Sequence, residues 1–151
     1  MRLSENFILA EFTKSQTAIR RSINNKPKQE HLDALRALCS NILEPLRKHY
    51  GKPVKVSSGY RSRTLNAAIG GSNTSQHSLG QAADIEVEGV DNRELAKWIQ
   101  AHLPFDQLIL EGAKRNDPNA GWVHVSYGSR NRRQVLTATF PGPKYTKGIE
   151  A

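Results

Sequence analysis

Ser75-Gln-His77-Ser-Leu-Gly80-Gln-Ala82-Ala-Asp84 runs from a polar loop, through a glycine turn, into an apolar strand, and it carries two ligand-type side chains on the way. His77 closes the loop, Gly80 lets the backbone turn, and Asp84 begins the strand Ala82–Val87. An aspartate between Ala82-Ala83 and Ile85 is costly to bury without a partner. A second histidine, His124, stands in the alternating stretch Trp122–Tyr127. Imidazole and carboxylate are ligands that Zn²⁺ accepts, and three protein ligands with one open position define a catalytic zinc site. The same set of two histidines and one carboxylate also suits non-haem iron. The three residues alone leave both metals open.

Outward from this stretch the pattern is of helices followed by strands. Upstream, Leu32, Leu35, Leu38, Ile42, Leu43 and Leu46 recur at helical spacing and predict one long amphipathic helix ending near Gly51, with Pro45 kinking its last turns. Pro27 suits a first helical position, and Thr13-Lys-Ser-Gln16 has the capping-box form that starts a short helix to about Arg21. Pro53–Ser58 alternates as a strand, and Thr64–Ile69 makes a short helix closed by Gly70-Gly71. Downstream, Asp91 caps a helix to about His102. Two strands follow, Phe105–Glu111 and Trp122–Tyr127, joined by a loop rich in Gly, Asn and Asp, and Gln134–Phe140 adds another. This order predicts an α+β domain, a small antiparallel sheet with helices packed on one face. The domain takes residues 1–140, and 141–151 reads as a poorly ordered tail.

A chain of 151 residues fits one domain and buries a core without staples. The single cysteine, Cys39, lies among leucines and isoleucine and reads as a small core residue. The formal net charge of +8 points to an anionic partner or working surface. Its sources are scattered: Arg20-Arg21, Arg61 and Arg63, Lys114-Arg115, and Arg130, Arg132 and Arg133. Without interleaved aromatics they predict no specific nucleic-acid binding. No segment reaches membrane-spanning length, and Met1–Ala10 lacks the form of a signal peptide, so the reading is a protein made in the cytoplasm. His31, His49 and His102 lie at helix ends and read as structural.

Taken together, the motifs resemble the family of zinc D-Ala-D-Ala carboxypeptidases and related phage endolysins. That family carries Ser-x-His-x-x-Gly-x-Ala-x-Asp followed by a Trp-x-His strand, matched here by Ser75 to Asp84 and Trp122 to His124. Ser57-Ser-Gly-Tyr-Arg-Ser62 and Phe105-Asp-Gln-Leu-Ile109 look like two further family blocks. The resemblance spans roughly Phe7 to Tyr127. It implies a hedgehog/DD-peptidase-like fold, one zinc per chain on His77, Asp84 and His124, and hydrolysis of peptide bonds in peptidoglycan stem peptides. By the same matching, Arg61 faces the substrate carbonyl and stabilises its oxyanion, and Ser75 binds substrate or holds the loop. Many relatives carry the catalytic carboxylate three residues before the second histidine, where this chain has Gly121. The base then comes from elsewhere. If the two strands pair as a hairpin, Glu111 lies beside Trp122 on the His124 side. Asp117, in the connecting loop, is the second candidate, and the loop Gly112–Gly121 is expected to set specificity. The implied setting is a monomer working at the bacterial cell wall after phage-assisted release. The competing reading is a cell-wall-binding module whose zinc site does no chemistry.

Overall fold

The computed structural model describes residues 1–114, 116–117 and 119–149; Arg115 of the basic pair and Glu150 and Ala151 of the tail lie outside them. A small hairpin, β1 (Arg2–Ser4) and β2 (Phe7–Ile8), opens the chain. Two short helices follow, α1 (Ala10–Thr13) and α2 (Gln16–Arg20). The cap of α2 is Ser15, whose Oγ accepts from Ala18 N–H at 3.2 Å, and not the expected Thr13. Thr13 is spent on ending α1.

The long apolar stripe forms α3 (Gln29–Leu38), a π turn (Cys39–Leu43) and α4 (Glu44–Tyr50). Pro45 has no N–H to donate and its ring crowds the carbonyl a turn earlier. A widened turn, Cys39–Leu43, stands just before the proline and lets the apolar stripe run on. Leu35, Leu38, Ile42, Leu43 and Leu46 are all fully buried. Gly51, in the left-handed region, then stops α4.

Six further strands and two helices complete the fold: β3 (Val54–Ser58), α5 (Arg63–Ala68), β4 (Ala82–Val87), α6 (Asn92–His102), β5 (Gln107–Glu111), β6 (Trp122–Ser126), β7 (Gln134–Thr139) and β8 (Lys144–Lys147). These strands make one sheet in the order β3-β4-β6-β5-β7-β8. Every neighbouring pair is antiparallel except β5 with β7, which run parallel. The fold is α+β as expected, but the sheet is mixed and longer than the sequence suggests. The tail expected to be poorly ordered supplies β8, because Lys144–Lys147 pairs along β7 and satisfies that edge.

The sheet has two unlike faces. Ala83, Ile85, Val87, Leu108, Leu110, Val123 and Val125 point to one side and join the α3, α4 and α6 leucines in a single core. Asp84, His124, Ile109, Glu111 and Trp122 point to the other. Each fully buried Leu, Ile or Val on the first face contributes about 1.5–3 kcal/mol. That burial fixes the register of the second face, since a slip of one residue would send the polar row into the core. Among the described residues no helix is long and apolar enough to cross a membrane.

Candidate metal centre

His77 sits in a 3₁₀ turn, Gln76–Leu79, between Ser75 and Gly80. Ser75 Oγ accepts from His77 N–H at 3.2 Å, so this serine holds the loop as well as lining the cleft. Gly80 leaves the turn at φ +74, and a Cβ there would lie 2.6 Å from the His31 carbonyl oxygen. Only glycine fits this exit into β4. Asp84 and His124 are direct cross-strand partners in β4 and β6. The three side chains are buried together, and their ligand atoms all lie within 4.8 Å of one another.

The proton positions show what this cluster can hold. His77 Nδ1 lies 2.7 Å from the Gly59 carbonyl, which can only accept, so Nδ1 carries the proton. Burial lowers the His77 pKa and keeps the ring neutral. Its Nε2 therefore turns a lone pair toward Asp84 Oδ1, 3.4 Å away, and His124 Nδ1 meets the same oxygen at 3.1 Å. Burial works against the Asp84 carboxylate, but the hydrogen bond with His124 outweighs it and holds its pKa below the usual range. Donors bound at 2.0–2.1 Å to a tetrahedral ion stand about 3.3 Å apart. The spacing, and the lone pair aimed at a carboxylate, fit a zinc-sized cation. Among the described residues His124 Nε2, which is buried, has no hydrogen-bond partner. Its ring is aimed by β6 and by Asp84.

Two charged groups flank the cluster. Arg61 Nη1 donates to Asn66 Oδ1 at 3.2 Å, and Nη2 stands 3.9 Å from Asp84 Oδ2. Burial lowers the Arg61 pKa, opposed by the charges of Asp84 and Glu111. Asn66 is buried and also donates to the Ser72 carbonyl at 2.7 Å, tying the guanidinium to the loop that leads to His77. On the opposite wall Glu111 pairs with Trp122, the hairpin register expected from the sequence, and accepts from Trp122 Nε1 at 3.0 Å. Burial first, and the Asp84 charge second, raise the Glu111 pKa. Gly121 shows why no carboxylate stands three residues before His124. Its φ is +75, and a Cβ would lie 2.0 Å from the Glu111 carbonyl oxygen.

Asp117 is not brought to the cluster. It pairs with Lys114 across its loop, and its carboxylate caps the backbone N–H of Asn119 at 2.9 Å. No described residue between Gly112 and Gly121 lines the cleft, contrary to the expectation that this loop shapes specificity. Asn92 explains the departure: its Nδ2 donates to the Ala120 and Gly121 carbonyls and draws the loop base toward α6. The cleft, about 760 Å³, is walled on that side by Arg130, Arg132, Leu136 and Tyr145 instead. From the sequence, Leu136 was visible only as part of the strand Gln134–Phe140, Arg130 and Arg132 only as scattered charge, and Tyr145 only as part of the tail. Gln76 and Asp106 were legible only as parts of matched blocks, yet they form a part-buried link, with Gln76 Nε2 donating to Asp106 Oδ2 at 2.7 Å.

The model of the peptidase M15 family matches residues 5–126, most of the chain. The chain belongs to the peptidase M15 family. M15 peptidases are zinc-dependent, which agrees with the donor set described above. No curated protein matches the chain significantly. The M15 match ends at β6, so β7, β8 and the segment that leads to them lie beyond it. His31, His49 and His102, read as structural, all lie outside the cleft. His31 Nδ1 accepts from Lys28 N–H at the start of α3, and His49 and His102 stack on Trp98.

Proposed function

We propose that this M15 peptidase hydrolyses peptide bonds of bacterial peptidoglycan stem peptides, with zinc held by His77 Nε2, Asp84 Oδ1 and His124 Nδ1. The observation that carries the reading is the buried triad itself, open on a cleft between an untethered carboxylate oxygen and a fixed guanidinium. The chemistry a bound zinc supplies is Lewis-acid polarisation of a carbonyl and a lowered pKa for water. The remaining work falls to the chain. Glu111, raised by burial, takes the proton of the attacking water and returns it to the leaving amine. Trp122 Nε1 holds one of its oxygens and leaves the other for that exchange. Arg61 offers a planar, permanently charged fork to the oxyanion as it forms.

Ser75 serves this chemistry by fixing the His77 turn, and its place on the cleft wall also suits contact with substrate. The bacterial cell wall is the setting that goes with such a substrate, in a phage-type lytic role. The test is digestion of purified peptidoglycan with zinc and with a chelator, followed by mass spectrometry of the soluble products. Release of peptide fragments that stops with chelator and resumes with zinc is the expected result. Wall binding without release under any metal condition would favour the non-catalytic module and end the enzyme reading.

A further inference from the structure

The wall of the cleft that lies beyond the family match is unusually well fastened. Between β6 and β7 the chain crosses the start of β5, and two residues of this crossing, Asn131 at φ 44 and Arg133 at φ 57, adopt left-handed backbone. Asparagine tolerates that conformation, but a long side chain such as arginine does so at a cost and only where its surroundings hold it. They do. Arg133 donates to the Leu103 and Gln100 carbonyls and lies over the Phe105 ring at 4.6 Å. Arg132 gives its backbone N–H at 2.9 Å and its Nε at 2.8 Å to Asp106 Oδ1. Asn131 Oδ1 accepts from Gly128 N–H at 3.0 Å.

All this fastening presents one group. Arg130 lies in the middle of the pinned crossing, lines the cleft, and makes no hydrogen bond or ion pair with any described residue. Arg132 beside it is already neutralised by Asp106. Next to Arg130 the cleft floor turns apolar. Asp84, His124, Ile109 and Leu136 form one row across β4, β6, β5 and β7, all on the same face; in β8, Lys147 stands opposite Leu136 and Tyr145 opposite Ala138, one row along, and Tyr145 lines the cleft. Three strand spacings separate Asp84 from Leu136, about 14 Å, the length of about four residues of extended peptide.

We propose that the β6–β7 crossing and the β7–β8 pair form a substrate subsite selective for acidic peptides. In it the aliphatic part of the peptide lies on Ile109, Leu136 and Tyr145, and Arg130 takes a free carboxylate a few residues from the scissile bond. This rests on the cleft being a peptide site, as proposed above. The fastened backbone fixes where Arg130 leaves the chain, and its exposed side chain is left free to settle on the carboxylate.

The test uses two stem-type pentapeptides that differ in one group, a free carboxylate or its carboxamide at the second residue. The zinc-loaded protein should prefer the acid by at least about fivefold in kcat/KM, the difference falling on KM, as suits a partly solvated charge pair. Arg130→Gln should bring that ratio to about one, and Arg130→Lys should restore part of it. Tyr145→Ala should weaken both peptides alike. Calorimetric titration of the same peptides reads the same ratio without requiring turnover. If the acid binds more tightly and neither peptide is cleaved, the peptidase reading fails and the subsite stands. A wild-type ratio near one, or a preference that survives Arg130→Gln, overturns the subsite.

Discussion

Asp106→Ala removes a carboxylate that accepts four hydrogen bonds, from Gln76 Nε2 and from the Arg132 backbone N–H, Nε and Nη2. These do not all count equally. The Arg132 side chain is 41% exposed, so its head group returns to water and its two bonds cost little when lost. The Arg132 backbone N–H and the Gln76 amide are part-buried and lose an ionised acceptor. At about 1.5 kcal/mol each, the loss is about 3 kcal/mol. For a domain of this size that corresponds to a fall in Tm of about 6–12 °C. Urea unfolding followed by tryptophan fluorescence, on zinc-free protein, measures it without metal linkage, and the m-value should stay unchanged. Asp106→Asn should recover part of the loss, because its remaining carbonyl still accepts. The Asp106 pKa is held down to about 2, chiefly by the hydrogen bond from Arg132. A depressed carboxylate stabilises the fold above its unfolded pKa, so the wild-type advantage over Asp106→Ala should shrink as pH falls from about 4 toward 2. A loss below about 1 kcal/mol, or one that does not change with acid, would refute the idea that this carboxylate fastens the crossing.

Glu111→Gln should keep zinc and peptide binding while kcat falls by about 10²–10⁴, and Asp117→Asn should retain most activity; normal turnover in Glu111→Gln would remove it from the chemistry. Arg61→Ala should lower kcat about a hundredfold at unchanged zinc content, with Arg61→Lys recovering only part, measured by steady-state kinetics and metal analysis. Cys39 is fully buried and its thiol is pushed up to about 12, mainly by burial. Alkylation of Cys39 in native buffer should therefore track the unfolded fraction, and rapid labelling of folded protein would contradict that burial.

What the sequence revealed and what it hid follow one physical divide. The leucine stripe, the strand Ala82–Val87 and the hairpin partner of Trp122 were legible because burial imposes a period on them. The ligand set was legible because the motif keeps His77 and Asp84 seven residues apart on a turn that only glycine can make. The π turn before Pro45 was not, since it lies within the same apolar stripe. Strand β8 was hidden because Lys-Tyr-Thr-Lys is mostly exposed and pairs through its backbone. The far wall of the cleft was hidden for a related reason. Arg130, Leu136 and Tyr145 meet only through a crossing that reorders strands, and no local pattern records that.

Gly121 sets a limit on how this active site can change. Its missing side chain leaves the space where the backbone of Glu111 lies, so a side chain at 121 and the base proposed at 111 would compete for one volume. A carboxylate introduced at 121 would pry open the β5–β6 ladder at the Glu111–Trp122 pair and dislodge the acid already there. If Glu111 is the base, as proposed, the chain cannot pass by single substitutions through a form that keeps a carboxylate at both positions. A lineage, or an engineer, moving from one arrangement to the other must cross an inactive intermediate or rebuild the hairpin in the same step.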